Sequence, residues 1–207
     1  MLFLIFLLSI SQIFYCDSDT DCFYIPKKKT KKKLPALLVL SCTGAKKEDL
    51  DSLIFIAESL GFILFSCHKS RNHRDFLLND KDILKTYQKL IKKYPYVDTS
   101  KIFIYGFSGM GAQALLSNFL HPEIFKGAIS VCAPSLPLSL IKPDKLKKHI
   151  FYLITRKRDW NFYHNINLHE YFKRNNIKDT LVITEGEHQI GNKFELYKAL
   201  SWLKNKF

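Results

Sequence analysis

Short apolar segments that alternate with helical segments predict an α/β fold for this chain of 207 residues. Six of the segments are rich in β-branched and aromatic residues, as in strands that are buried on both faces of a sheet. The segments between them carry helix-forming residues and end near glycine or proline. Strands joined through helices form right-handed crossovers, so we expect a three-layer α/β/α sandwich with a mostly parallel sheet of about six strands.

The predicted elements follow one another from Leu34 to the C-terminus. Gly61 ends the first helix, Pro95 stops the second and Pro122 follows the third. In chain order we expect strand 36–41, helix 48–60, strand 62–66, helix 80–94, strand 101–105, a helix ending near 120, strand 127–132, a short helix near 145, strand 150–155, helix 166–175, strand 180–184 and helix 193–206. In such sheets function gathers at the carboxyl ends of the strands.

The first 33 residues differ in composition from the rest of the chain. Residues 1–15 are almost wholly apolar, yet they fall short of the roughly 20 residues that a spanning helix needs, and the length suits a secretory signal. No lysine or arginine precedes this run, and six lysines follow it between Lys27 and Lys33. We expect residues 1–16 to be a signal peptide or N-terminal anchor, with Cys16 a candidate for lipidation, and residues 17–33 to be a basic linker. The protein would then be exported or membrane-anchored, and cytoplasmic if the segment is not a functional signal.

The overall composition favours one globular domain over residues 34–207. A hydrophobic content of 47% suits a buried core. The net charge of +13 would attract an anionic polymer or a membrane surface, but the chain shows no zinc-finger spacing and no RNA-binding aromatic motif, so we expect no nucleic-acid partner. None of the five cysteines has metal-ligand spacing, whereas Cys16 and Cys22 could pair in an oxidising compartment.

One strand-to-helix junction carries the pattern Gly106-Phe107-Ser108-Gly109. A serine on such a turn is lifted clear of the sheet, and the first helical turn adds partial positive charge beside it. This is the local structure of a nucleophile elbow. A plainer interpretation is that Gly106 closes the strand and Ser108 caps the following helix. Met110 stands where the elbow pattern has a small residue.

A nucleophilic serine needs a histidine to take its proton and an acid to orient that histidine. His188 follows the last predicted strand and Asp159 follows the strand before it, so both leave carboxyl ends. The competing residues are His164 and His169 for the base, and Glu185 and Glu187 for the acid. A further alternative is that Asp159 is a turn residue paired with the basic residues before it.

These motifs resemble those of phospholipase/carboxylesterase-type and related small serine esterases of the α/β-hydrolase superfamily. Residues 98–109, Asp-Thr-Ser-Lys-Ile-Phe-Ile-Tyr-Gly-Phe-Ser-Gly, look like the stretch that leads into the family's nucleophile. Residues 40–50, Leu-Ser-Cys-Thr-Gly-Ala-Lys-Lys-Glu-Asp-Leu, are similar to its His-Gly-Thr-Gly oxyanion loop, with Ser41-Cys42 in place of His-Gly. The resemblance covers residues 34–207 and implies oxyanion donors at Gly109 and Thr43.

The sequence therefore predicts a serine hydrolase that cleaves an ester or related acyl bond through an acyl-enzyme intermediate. Its substrate would be a small-molecule or lipid-like acyl compound, and it would need no metal or cofactor. No long insertion interrupts the loops and only residues 133–148 could shade the site, so the length of the chain predicts no large lid on the minimal α/β-hydrolase fold that the resemblance implies. The alternative is a catalytically degenerate, hydrolase-like binding domain, exported to or anchored at the cell envelope, with a poorly aligned triad.

Overall fold

A parallel sheet forms the centre of the molecule. The computed structural model describes residues 13–27 and 32–206. Within this part of the chain the six predicted strands are confirmed and lie parallel to one another. They are β3 (Leu34–Val39), β4 (Ile63–Ser66), β5 (Val97–Phe107), β6 (Phe125–Val131), β7 (Ile150–Arg156) and β8 (Lys178–Thr184).

Two further strands extend the sheet to eight, in the order β1-β2-β4-β3-β5-β6-β7-β8. Strands β1 (Ile13–Cys16) and β2 (Cys22–Ile25) pair antiparallel, and β2 pairs antiparallel with β4. The prediction of a solvated linker over residues 17–33 is therefore wrong at Cys22–Ile25. All four residues of β2 are buried against the core, because their apolar side chains find a free strand edge on β4. The basic run from Lys27 to Lys33 follows this short strand closely, so the composition of the whole segment is that of a polar linker.

The hairpin formed by β1 and β2 is also attached by polar contacts. Cys16 and Cys22 form a disulfide bond. The Nζ of Lys89 lies 2.7, 2.8 and 2.9 Å from carboxylate oxygens of Asp17, Asp19 and Asp21, respectively. A disulfide and three ion pairs thus fix a segment that composition alone assigned to solvent.

The predicted leader falls mostly outside the described residues, which begin at Ile13. The sulfur of Cys16 is bonded to Cys22, so this disulfide and a lipid on the same sulfur exclude each other. Among the helices of the described ranges, none combines the length and the apolarity needed to cross a bilayer.

Helices cover both faces of the sheet. They are α1 (Lys47–Asp51), α2 (Ile54–Leu60), α3 (Phe76–Lys93), α4 (Gly109–Leu120), α5 (Pro143–Leu146), α6 (Phe162–Arg174) and α7 (Lys193–Lys204), with a 3₁₀ turn at Leu138–Leu140. The helix predicted over 48–60 is broken at Ser52 and Leu53. Helix α3 begins four residues earlier than predicted, because the Asp75 side chain accepts the backbone N–H groups of Leu77 and Leu78.

Two separate apolar cores hold the layers together, and they confirm the predicted three-layer sandwich. Helices α3, α4 and α6 bury side chains such as Ile83, Leu115 and Phe172 against one face of the sheet. Helices α1, α2 and α7 bury Leu50 and Leu200, among others, against the opposite face. Each fully buried side chain of this size contributes about 1.5–3 kcal/mol. The loops that leave the carboxyl ends of β3 to β8 are thereby held at one edge of a rigid scaffold.

Candidate active site

Ser108 lies on a sharp turn between β5 and α4. Its backbone adopts φ 54° and ψ −127°, a conformation that is uncommon for a residue with a side chain. The turn is tight, since a Cβ on Gly106 would lie 2.0 Å from the carbonyl oxygen of Met110. The Ser108 N–H donates to the Val131 carbonyl at 2.8 Å, which ties the turn to β6. Strand β5 therefore presents the serine as a nucleophile elbow does.

The helix-cap interpretation of Ser108 does not hold. The Ser108 side chain makes no capping hydrogen bond to the start of α4. Met110, which departs from the elbow pattern, is buried in the core formed with α3 and α6. Its side chain therefore points away from the serine hydroxyl and leaves the elbow uncrowded.

Ser108, His188 and Asp159 form a continuous hydrogen-bonded chain. The Nε2 of His188 lies 2.8 Å from Ser108 Oγ, and its Nδ1 lies 2.9 Å from Asp159 Oδ2. With the proton on Nδ1, the imidazole donates to the carboxylate and accepts from the serine hydroxyl. The other oxygen of Asp159 accepts the Asn161 N–H at 2.6 Å, which fixes the carboxylate plane. The structure thus brings together the three residues that the sequence singled out.

The competing histidines have other partners. The Nδ1 of His164 lies 3.2 Å from Asn161 Oδ1, and that of His169 lies 2.7 Å from Asp179 Oδ2. Neither contacts Ser108.

The competing acids and the basic run beside Asp159 pair with one another. Lys157 pairs with Glu185, and Arg158 lies 3.9 Å from Glu187. Arg156 is buried and makes two hydrogen bonds, at 2.6 and 2.8 Å, to Glu195. Asp159 is therefore free to hold the histidine, and the alternative of a turn aspartate paired with the basic residues before it does not hold.

Two aromatic rings contact the His188 imidazole. Trp160 stacks on it with ring centroids 3.9 Å apart, and Phe107 approaches to 4.8 Å. Trp160 itself is 73% exposed, so it covers the histidine from the solvent side. Sequence reasoning missed Trp160, although it directly follows Asp159. The stack restricts the imidazole to the plane in which it meets both partners.

The predicted oxyanion loop forms a tight turn. The Gly44 N–H donates to the Ser41 carbonyl at 3.0 Å, which leaves Thr43 exposed at the tip of the turn. The backbone N–H of Thr43 has no acceptor among the described residues. Gly109 is the first residue of α4, so its N–H has no partner within the helix. Both predicted donors therefore lie at the edge of the sheet that carries Ser108.

Asn72, which sequence reasoning left in a polar loop, supports this turn. Its N–H donates to the Cys42 carbonyl at 3.0 Å. Its Oδ1 packs so closely on Gly109 that a Cβ there would lie 2.4 Å away. Asn72 thus touches both the oxyanion turn and the residue after the nucleophile. No local pattern signals this contact, because it joins loops from three different strands.

One set of side chains at the site has the composition of a metal site. Donor atoms of Cys132, Asp159 and His188 lie within 4.8 Å of one another. Burial, helped by the nearby Asp159, raises the pKa of the Cys132 thiol to about 12, so the sulfur keeps its proton. The other two residues already bind each other. This set therefore fits a metal ion poorly. Asp159 and His188 are two members of the hydrogen-bonded triad, and the Cys132 thiol lies beside them.

The segment predicted to shade the site, residues 133–148, is short, and its start is hydrogen-bonded to the beginning of α6. The Nδ2 atoms of Asn161 and Asn165 each donate to a carbonyl at its start, those of Cys132 and Ala133, at 3.0 Å. A cavity of about 150 Å³ remains beneath it. A cavity of about 500 Å³ lies beside the oxyanion turn, and another of about 490 Å³ is lined by Asn72 and Gly109, among others. The site is accordingly open, with more than one recess of small-molecule size around the elbow.

Comparisons with known proteins agree with this geometry. The model of the prolyl oligopeptidase family matches residues 78–201, more than half of the chain and the part that holds Ser108, Asp159 and His188. A comparison with curated proteins finds no significant match.

Solved structures with the same fold include several serine hydrolases. Fluorophosphonate-binding serine hydrolase F (FphF) of Staphylococcus aureus has a TM-score of 0.72 at 14% identity, covering 94% of this chain and 98% of that chain. An S-formylglutathione hydrolase from Agrobacterium tumefaciens has a TM-score of 0.68 at 17% identity, covering 95% and 98%. A ferulic acid esterase has a TM-score of 0.73 at 14% identity, covering 95% and 97%. At these identities the likeness establishes the fold.

Proposed function

Because the chain belongs to the prolyl oligopeptidase family and is a serine hydrolase of the α/β-hydrolase fold, we propose that it cleaves carboxylic esters or related acyl compounds through an acyl-enzyme intermediate. The observation that carries this proposal is the unbroken hydrogen-bonded chain from Ser108 through His188 to Asp159. An aligned nucleophile and base separate this proposal from the alternative of a non-catalytic binding domain, which expects a misaligned triad.

In the first step Ser108 attacks the carbonyl carbon of the substrate. Its hydroxyl proton passes to Nε2 of His188 as the new C–O bond forms, and Asp159 stabilises the resulting imidazolium. The negative charge on the carbonyl oxygen is held by the backbone N–H groups of Gly109 and Thr43. The intermediate collapses as Nε2 returns the proton to the leaving oxygen, which departs as an alcohol.

In the second step water hydrolyses the acyl-enzyme. His188 takes a proton from the water, whose oxygen attacks the acyl carbon, and the proton is then given to Ser108 Oγ as the C–O bond breaks. The acid product leaves and the free serine is restored. Because the proposed donors are backbone N–H groups, Ser41-Cys42 in place of the His-Gly of the resembling esterases need not remove a donor.

The open site favours an ester whose carbonyl is accessible over a substrate with a long lipid chain that must be enclosed. A thioester would react in the same way, with a thiol as the leaving group. The family also contains enzymes that act on peptides, to judge from its name, so peptide p-nitroanilides belong in the same assay. The proposal expects ester turnover to exceed anilide turnover by a wide margin.

A serine-directed probe tests the nucleophile. Wild-type protein should hydrolyse short-chain p-nitrophenyl esters and become labelled by a fluorophosphonate, whereas Ser108→Ala should lose both properties. Ser59→Ala is a matched control, since Ser59 is an exposed serine whose hydroxyl bonds a carbonyl within α2. If wild-type protein is neither labelled nor active, the esterase proposal is wrong and the non-catalytic binding domain is the interpretation that stands.

We further propose that the protein is exported or attached to a membrane through its N-terminus. The apolar run of residues 1–15 and the disulfide between Cys16 and Cys22 support this, since disulfides persist in oxidising compartments. The full chain, expressed with its own N-terminus and recovered from the envelope or secreted fraction, should show three free thiols after denaturation without reductant when Cys16 is retained, and four when cleavage removes residues 1–16. Recovery from the cytoplasm with five free thiols would refute export.

A further inference from the structure

The positive charge of the molecule is concentrated at one edge of the sheet. This edge, the amino edge, comprises the first residues of β3 to β8 together with the turns and helix ends that lead into them. Among the described residues, lysines and arginines at the amino edge outnumber acidic residues by more than two to one, whereas acidic residues are slightly more numerous at the opposite, carboxyl edge. Most of the excess behind the net charge of +13 therefore lies away from Ser108.

Helix ends account for part of this excess. The last turns of α3, α6 and α7 carry Lys92 and Lys93, Lys173 and Arg174, and Lys204, respectively. Cations in the last turn of a helix complement its dipole, so these residues by themselves indicate no partner.

Other cations at the amino edge have no helix end to complement. Lys148 lies in the turn before β7, and Lys178 is the first residue of β8, opposite Ile150 in the sheet. Both lysines are exposed, and neither makes an ion pair with a described residue. Most cations around the active site are paired instead, as Lys157 is with Glu185. The amino edge therefore keeps a positive field that attracts an anionic surface.

The topology brings the apolar N-terminal run to the same edge. Strand β1 is antiparallel to β2, which is antiparallel to β4, so β1 runs parallel to the central strands. Its first residue, Ile13, to which the preceding apolar residues are joined, thus lies at the amino edge. Ile25 and Leu34, the two strand ends that the basic run connects, lie there as well. Cations and an apolar segment are therefore joined to one side of the domain.

We propose that the amino edge docks on an anionic lipid surface, with the active site facing away from it. Lipid fits better than nucleic acid, because a membrane offers anionic headgroups to the lysines and an apolar interior to the N-terminal run, and stable attachment takes two such signals. Ser108, at the carboxyl edge, would then be reached from the aqueous phase. The proposal extends the N-terminal attachment proposed above to the folded domain and does not depend on esterase activity.

Binding of the full chain to vesicles tests the charged edge. Wild type should bind phosphatidylcholine vesicles that contain about one-third phosphatidylglycerol more tightly than vesicles of phosphatidylcholine alone, and the difference should shrink at high salt. Lys148→Gln/Lys178→Gln should lower the affinity for the anionic vesicles by about tenfold to thirtyfold. Arg71→Gln/Lys193→Gln removes the same charge from exposed residues at the carboxyl edge and should bind as wild type does. Affinity for the neutral vesicles reports the N-terminal segment separately and should be equal in all three proteins.

The emission of Trp160 tests the orientation. Trp160 stacks on His188 and is 73% exposed, and the chain has one other tryptophan, Trp202. In Trp202→Phe bound to the anionic vesicles, bromine on the lipid acyl chains should leave the Trp160 emission unquenched. Quenching would place the carboxyl edge against the lipid and overturn the proposal.

Two further outcomes would also overturn docking at the amino edge. One is an equal loss of affinity for the anionic vesicles in the two double variants, and the other is tighter binding to duplex DNA than to these vesicles at the same ionic strength. Neither measurement uses turnover, so an inactive protein refutes the esterase proposal alone.

Discussion

Substitution of Gly44, in the oxyanion turn, gives the sharpest test of the proposed mechanism. This residue has φ +89°, and a Cβ at this position would lie 2.3 Å from the His68 carbonyl oxygen. A carbon and an oxygen approach to about 3.3 Å, so Gly44→Ala must displace the turn or the His68 backbone by about 1 Å. Thr43 lies next to Gly44, and a shift of that size takes its N–H out of hydrogen-bond range of the oxyanion.

The expected effect is on the rate of the chemical step. Loss of one oxyanion donor costs about 10²–10³ in kcat, or about 2.7–4 kcal/mol. Because that interaction forms only in the transition state, KM should change little. Initial rates with p-nitrophenyl acetate, measured alongside urea unfolding, give kcat, KM and stability for the same protein.

Gly61→Ala is the matched control for backbone strain. Gly61 has φ +75° at the end of α2, but the nearest atom to an added Cβ is 4.0 Å away, and the residue is remote from the oxyanion turn. Both variants should lose about 1–2 kcal/mol of stability from the left-handed conformation. Only Gly44→Ala should lose activity. If Gly44→Ala keeps kcat within about threefold of wild type, the Thr43 N–H is not an oxyanion donor and this reasoning is wrong.

Asp159→Asn should lower kcat by about 10⁴ with little change in KM, since an amide favours the wrong histidine tautomer; a loss below tenfold in the p-nitrophenyl acetate assay would contradict its orienting role. Phe23→Ala, in the strand that sequence reasoning assigned to a linker, should cost about 3–5 kcal/mol in urea unfolding, because Phe23 is only 1% exposed; a linker residue would cost almost nothing. Hydrogen bonds from Lys69 and Lys89 lower the pKa of Asp19 to about 2. A lowered carboxyl pKa stabilises the fold fully above the unfolded value of 3.8, and that contribution disappears as the pH falls towards 2. Wild type and Asp19→Asn should therefore differ in stability at neutral pH and low salt and converge in acid, and a constant difference would contradict the assignment.

The parts of the site that were predictable from the sequence are those set by local structure. The apolar run before Gly106 and the helix formers after Ser108 define a strand, a turn and a helix whatever the rest of the chain does. Asp159 and His188 each follow a recognisable strand, and parallel strands bring their carboxyl ends to one edge. Chain order alone then suffices to nominate the three residues that the structure joins at 2.8 and 2.9 Å.

The missed features depend on contacts between distant segments. Strand β2 is only four residues long and becomes a strand because β4 offers it an edge. Asn72 and Trp160 resemble ordinary loop residues until the loops around them are placed. The alternative that the basic run pairs with Asp159 could not be decided from the sequence for the same reason, since the partners of Arg156 and Lys157 lie about 30–40 residues further along the chain.

The N-terminal hairpin is connected to the oxyanion turn through a short series of contacts. The Asp21 carboxylate accepts the His68 N–H at 3.0 Å, and the His68 carbonyl is the group against which Gly44 packs. Four residues after His68, Asn72 holds the Cys42 carbonyl. The loop that packs against the oxyanion turn is thus itself held by a carboxylate from the hairpin. In the proposed mechanism the turn must keep its donor within a few tenths of an ångström of its target, so the mechanism expects the segment that composition assigned to a linker to help preorganise the site.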